Sequence, residues 1–143
     1  MIQACSSCGK KNRIPLARLS SRATCGACKS ALPPLDTPVD AGTSDFDQLL
    51  ASSTVPIVVD FWAPWCGPYK MATPTVSQIA KDFAGKAIVV KVNTEDHPAL
   101  AQRYGVRGIP NFAVFDKGQM KTQQAGLMDL TQMRAWVRQN ISA

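Results

Sequence analysis

Four cysteines lie within the first 28 residues, arranged as Cys5-Ser6-Ser7-Cys8 and Cys25-Gly26-Ala27-Cys28 with sixteen residues between the pairs. No other feature restricts the folding of this chain so tightly. Two residues between cysteines let both sulfurs of a knuckle face one ion, and two knuckles complete a tetrahedral four-sulfur site. Gly9 and Gly26 are expected to allow the tight turns that aim backbone amides at the sulfurs. A segment of about 30 residues buries too little apolar surface to fold alone, and a structural metal is one of the usual remedies. One Zn2+ held by Cys5, Cys8, Cys25 and Cys28 is therefore expected. Two structural disulfides are the alternative, which a reducing intracellular setting disfavours. A saturated four-cysteine site leaves no position for water or substrate, so its role is structural.

The charge of the chain is distributed in the same way. Of its net +6, all falls on residues 1–35, where Lys10, Lys11, Arg13, Arg18, Arg22 and Lys29 meet no acidic residue. Residues 36–143 are balanced. Four thiolates around a divalent ion carry a net −2, so the basic residues partly neutralise their own metal site, and nucleic acid is not an expected partner. Three prolines in Pro33-Pro34-Leu35-Asp36-Thr37-Pro38 stiffen the chain and remove backbone donors. The expected organisation is a zinc ribbon at 1–32, a proline-rich linker at 33–38 and a second domain at 39–143.

That second domain reads as alternating strands and helices. Ser44 is placed to cap a helix running to about Ser53, with Phe46, Leu49 and Leu50 on one face. Val55 to Trp62 is a near-continuous apolar run with Asp60 inside it, the pattern of a strand buried on both faces. A helix from about Cys66 to Phe83 follows, bent at Pro74. Ala87–Val92 reads as a second buried strand and Pro98–Tyr104 as a short helix, with His97 at its start rather than acting as a ligand. Asn111–Phe115 and Gln119–Gln124 flank a turn at Asp116-Lys117-Gly118. Asp129 caps a last helix carrying Leu130, Met133, Trp136, Val137 and Ile141. The class is α/β, a mixed central sheet with helices on both faces. No run approaches the ~20 apolar residues of a membrane span, and the N-terminus lacks the apolar core of a secretory signal. A cytoplasmic monomer without membrane partners is expected.

Between the first buried strand and the long helix stands Phe61-Trp62-Ala63-Pro64-Trp65-Cys66-Gly67-Pro68-Tyr69-Lys70. A lone cysteine here meets a helix start, where unpaired amides and the positive dipole end favour thiolate over thiol. Pro68 suits the first helical turn, where a missing N–H does no harm. A buried, inert cysteine is the ordinary alternative. Asp60, inside an apolar strand, is expected to have a raised pKa and to be able to move protons. A carboxylate satisfied by Lys91 is the plainer reading, and the two are compatible.

This stretch resembles the active site of the thioredoxin family, Trp-Cys-Gly-Pro-Cys-Lys, with Tyr69 standing where the second cysteine belongs. The resemblance covers about residues 38–143. It takes in Asp60 six residues before Cys66, Pro74, Lys91, Ile109-Pro110 and Gly126, and with the four-cysteine segment it extends to the thioredoxin-2 type. It implies a protein-disulfide reductase acting by thiol–disulfide exchange, with Cys66, Asp60 and Lys91 as catalytic groups. It also implies a cis bond before Pro110, Ile109 offering its backbone to an extended substrate, and a substrate rim of Trp65, Gly67, Pro68, Tyr69, Gly108 and Gly126. Disulfide-containing proteins and thioredoxin reductase are the implied partners. A phenol cannot perform the second exchange, so Cys66 would depend on an external thiol such as glutathione for release. The alternative function is a thioredoxin-like binding or chaperone module that does not turn over.

Overall fold

The structure, a computed structural model, describes residues 2–15, 19, 23–33, 35–64 and 67–141, with residues 67–72 described as backbone. Its centre is β4 (Ile57–Trp62), whose IVVDFW sequence supplies side chains to two cores at once. β4 is paired on both sides, parallel to β5 (Ile88–Asn93) and antiparallel to β6 (Asn111–Asp116). β3 (Val39–Asp40) adds to β5 in parallel, and β7 (Gln119–Ala125) adds to β6 antiparallel, giving the order β3-β5-β4-β6-β7.

Strand alternation sorts the side chains. Ile57, Val59 and Phe61 of β4, Ile88, Val90 and Val92 of β5, and Ala113 and Phe115 of β6 lie on one face. They pack with Phe46 and Leu49 of α1 (Thr43–Ser52) and Leu100 of α3 (Pro98–Arg103). Val58, Val89, Phe112 and Val114 point the other way. They meet Val76, Ile79 and Ala80 of α2 (Gly67–Asp82), Phe83 beyond it, and Met133 and Val137 of α4 (Leu130–Ile141). Asp60 and Lys91 fall on this second face.

The element boundaries have local causes. β4 begins at Ile57 rather than Val55 because Pro56 has no N–H for the ladder; its carbonyl still accepts from Ile88 N–H at 3.0 Å. α4 starts with a capping box in which the Gln132 amide donates to Asp129 Oδ1 at 2.8 Å, while the Asp129 amide donates to Gln132 Oε1 at 3.1 Å. The Asp129 cap is as the sequence predicts. The Ser44 cap is not. α1 begins two residues earlier than that cap implies, Gly42 occupies the cap position in an extended conformation, and no side chain caps it. The contact explains the residue type at the cap: a Cβ built on Gly42 would lie 2.8 Å from His97 Cε1. His97 itself precedes α3 as its N-cap residue, in keeping with its expected place at a helix start. The β6–β7 hairpin turns through Lys117 (φ 53°) and Gly118 (φ 81°), the paired left-handed residues of a type I′ turn.

The N-terminal segment forms a separate two-stranded sheet, β1 (Ile2–Ala4) antiparallel to β2 (Lys11–Arg13), followed by an isolated bridge between Thr24 and Ala31. It does not stand clear of the rest. Ile14 and Leu19 are buried in the same apolar cluster as Val39, Ala41 and Phe46, with Ala23, Leu32 and Leu35 against it. Gln3 Nε2 also donates to Pro33 O at 2.5 Å. No helix among the described residues is long and apolar enough to cross a membrane.

Candidate redox site and metal centre

The first site is built from two knuckles of matching geometry. In each, the amide of the first cysteine donates to the residue five positions on (Cys5 to Lys10 O, Cys25 to Ser30 O, both 2.8 Å). The amide two residues after that cysteine points at its sulfur: Ser7 N to Cys5 Sγ and Ala27 N to Cys25 Sγ, both 3.4 Å. The left-handed residue that closes each turn follows the second cysteine. It is Gly9 (φ 78°) in one knuckle and Lys29 (φ 64°) in the other. Gly26, expected from the sequence to serve the second turn, does not: its φ is not positive, and its amide donates instead to Asn12 Oδ1 at 3.0 Å.

All four sulfurs lie within 4.8 Å of one another, with Cys5–Cys28 and Cys8–Cys25 both at 3.6 Å. A tetrahedron with metal–sulfur bonds of about 2.3 Å has edges of roughly 3.8 Å, so the four sulfurs are already grouped on the scale of one ion's site. Cys25 is fully buried, and the backbone amides of Cys28 and Ala27, with Asn12, pull its thiol down to about 6. That shift favours the thiolate a metal ligand needs, whereas the neighbouring Cys28 and Cys25 sulfurs push the Cys8 thiol up to about 11. Nothing in the sequence marks Asn12, an asparagine among lysines, as part of this centre. Its Nδ2 reaches Cys25 Sγ at 3.6 Å and Lys10 O at 3.0 Å, tying β2 to the second knuckle.

The second site lies where β4 runs out. Trp62, the start of β6 and the end of β7 share one end of the sheet, since Phe61 pairs with Asn111 and Asn111 with Ala125. The connection from β4 to α2 leaves from this end, the place where open α/β sheets bind ligands. Cys66 and Trp65 fall in that connection and lie outside the described residues. Gly67, Pro68 and Tyr69 form the first turn of α2, and Pro74 lies inside the helix. The Ile109–Pro110 bond is cis. Gly126 N–H donates to Pro110 O at 2.9 Å, so these two expected rim positions are joined directly. Gly108 lies exposed two residues before Pro110.

Asp60 and Lys91 are direct partners in the β4–β5 register. Asp60 is 1% exposed, and neither carboxylate oxygen has a hydrogen-bond partner among the described residues. Desolvation pushes its pKa from about 3.8 up to about 7, against the opposing pull of the Lys91 charge. Lys91 is shared, its Nζ also lying 5.2 Å from the centre of the Trp62 ring. The carboxyl is thus a buried acid that can give or take a proton at neutral pH.

An α/β sheet of this order, carrying a buried acid and a cis-proline at the end from which the β4–α2 connection leaves, is the framework of a thiol–disulfide exchange protein. Comparison with known proteins agrees. The Thioredoxin family profile matches residues 37–139, and the profile described as Thioredoxin 2, N-terminal, a zinc ribbon, matches residues 4–30. Thioredoxin C-3 of Corynebacterium nephridii is 34% identical over 141 residues, 99% of this chain and 96% of the relative. Thioredoxin 1 of Chlorobaculum tepidum is 48% identical over 88 residues, 62% of this chain and 87% of the relative. The solved structure of a mutant thioredoxin from Halobacterium salinarum superposes with a TM-score of 0.70 at 29% identity, covering 77% of this chain and 96% of that one. The chain belongs to the thioredoxin family, and by family it is a protein-disulfide oxidoreductase.

An acid whose pKa is raised by folding binds its proton more tightly in the native state, so stability is full below about 3.8 and is lost as pH rises through about 7. Asp60→Asn removes that loss. Denaturant unfolding across pH 4–9 should find the variant more stable than the parent above pH 7, by up to about 4 kcal/mol, with the difference fading below about pH 4. A difference that does not change with pH would refute the assignment.

Proposed function

We propose that this chain performs the first half of thiol–disulfide exchange and stops there. The Cys66 thiolate attacks one sulfur of a substrate disulfide. A Cys66–substrate mixed disulfide forms, and the other substrate sulfur leaves as a thiolate, which takes up a proton from solvent or a nearby acid. In the two-cysteine form of this reaction a neighbouring thiol then attacks the mixed disulfide, and its closeness is worth an effective concentration on the order of 10⁵ M or more. Tyr69 occupies that position in the sequence. Release therefore falls to an external thiol such as glutathione. The observation that carries this reading is the residue pair Cys66 and Tyr69, within a chain that keeps Asp60, Lys91, Ile109 and Pro110.

Asp60 and Lys91 serve in it as the buried proton carrier and its charge partner. Trp65, Gly67, Pro68, Gly108, Ile109, Pro110 and Gly126 form the surface on which an extended peptide of a disulfide-containing protein lies. Thioredoxin reductase, the family's electron donor, has no active-site disulfide to reduce here. The four-cysteine centre holds one Zn2+, which braces the N-terminal module and takes no part in exchange. The protein works as a monomer in the cytoplasm, where glutathione is at hand.

Two experiments test this. Insulin reduction with NADPH and thioredoxin reductase should be absent for the parent and present for Tyr69→Cys. Turnover by the parent would overturn the half-reaction, and failure of both to form a mixed disulfide at Cys66 would favour a pure binding module. Elemental analysis of the purified chain should give one zinc per chain, lost when Cys25→Ser is introduced; a metal-free, disulfide-bonded segment would contradict the metal assignment.

A further inference from the structure

Asn111 is an anomaly on its face of the sheet. It is 4% exposed, the residue next to Pro110, and it sits on the same face as Ala113 and Phe115. A buried amide in apolar surroundings has to be hydrogen-bonded. Its partner is Gln123 of β7, two positions along on the same face, whose Nε2 donates to Asn111 Oδ1 at 3.0 Å. The same Nε2 donates to the backbone carbonyl of Tyr104 at 3.0 Å. A backbone carbonyl only accepts, so it fixes which way the Gln123 amide faces, and Gln123 in turn fixes Asn111.

Tyr104 ends α3 and opens the segment that runs through Gly105, Val106, Arg107, Gly108 and Ile109 to Pro110. β7 and the glycine that follows it therefore fasten this segment at both ends: the Gln123 side chain holds the carbonyl where it begins, and Gly126 N–H holds the Pro110 carbonyl where it ends. Neither Asn111 nor Gln123 belongs to the exchange chemistry. We propose that Gln123, braced by buried Asn111, is a positioning residue that holds the 105–110 loop in the shape in which it receives an extended disulfide-bearing peptide. The role of the loop as a substrate surface rests on the proposed function; the fastening does not.

The test compares the parent with Gln123→Met, which keeps volume and loses the donor, and with Gln123→Glu. Each is mixed with two disulfides that release the same coloured thiolate, 5-thio-2-nitrobenzoate. One is an extended peptide carrying that group on its single cysteine, and the other is the symmetric aromatic disulfide. In both reactions Cys66 forms the new S–S bond and the coloured thiolate leaves. Gln123→Met should react about tenfold more slowly with the peptide, the scale of a lost neutral hydrogen bond, and within twofold of the parent with the small disulfide. Gln123→Glu should show the same peptide deficit at pH 7. Taken as a peptide-to-small-molecule ratio, it should recover near pH 4, where the carboxylic acid again has a proton to donate. Equal slowing with both disulfides, or no slowing, would overturn the proposal. Hydrogen exchange reads the fastening independently of Cys66. Amides of residues 105–106 should exchange about tenfold faster in Gln123→Met while those of β4 are unchanged, and unaltered exchange would overturn the proposal too. A parent whose Cys66 reacts with neither disulfide, but whose loop amides respond as stated, would refute the proposed function alone.

Discussion

A strand that is buried on both faces has no solvent side, and every residue on it has to be apolar or compensated. β4 imposes this condition on the whole fold. Ile57, Val59 and Phe61 require a cover that α1 and α3 provide, and Val58 requires one from α2 and α4. The parallel pairing with β5 forces the chain to cross over the sheet in a helix before it can pair again. That crossover is why α2 begins near the end of β4, with Cys66 next to Gly67 in the sequence. Asp60 breaks the apolar rule, and among the described residues its two carboxylate oxygens have no hydrogen-bond partner, the cost of burying it.

How much of this the sequence disclosed follows from the length scale of each signal. β4 and β5 are near-continuous apolar runs, interrupted by Asp60 and Lys91, and α2 and α4 carry helical periodicity with punctuation at Pro68, Pro74 and Asp129; these are legible. β3 is two residues long and exists only because β5 offers it an edge, so no periodicity could announce it. At the start of α1, a serine before an apolar-periodic run is a good local signal for a cap at Ser44. The cap falls on Gly42 instead, where the His97 ring, arriving from a residue far along the chain, leaves room only for glycine. The four cysteine ligands are plain from spacing alone. Asn12, Asn111 and Gln123 are not, because an amide's importance depends on which carbonyl or sulfur folding brings to it.

The N-terminal module and the sheet are joined by more than a linker. Ile14 and Leu19 lie in the cluster that covers β3 and α1, so the metal knuckles and the sheet share apolar surface. The module is basic, with Lys10, Lys11, Arg13 and Lys29 all exposed, and it carries the four-cysteine cluster. The end of the sheet from which the β4–α2 connection leaves is organised differently, by the ends of strands: β4 stops at Trp62, β6 begins next to the cis-proline, and β7 with the following Gly126 fastens both ends of the loop that precedes β6.

All of this treats Cys66 as a nucleophile held ready beside a helix terminus. The pH dependence of its alkylation by iodoacetamide, read by mass spectrometry on the peptide that contains it, tests that most directly. The account predicts a midpoint below the ordinary cysteine value of about 8.5, set by the amides at the start of α2. A midpoint at or above that value, or a sulfur that fails to react in the folded protein, would contradict it.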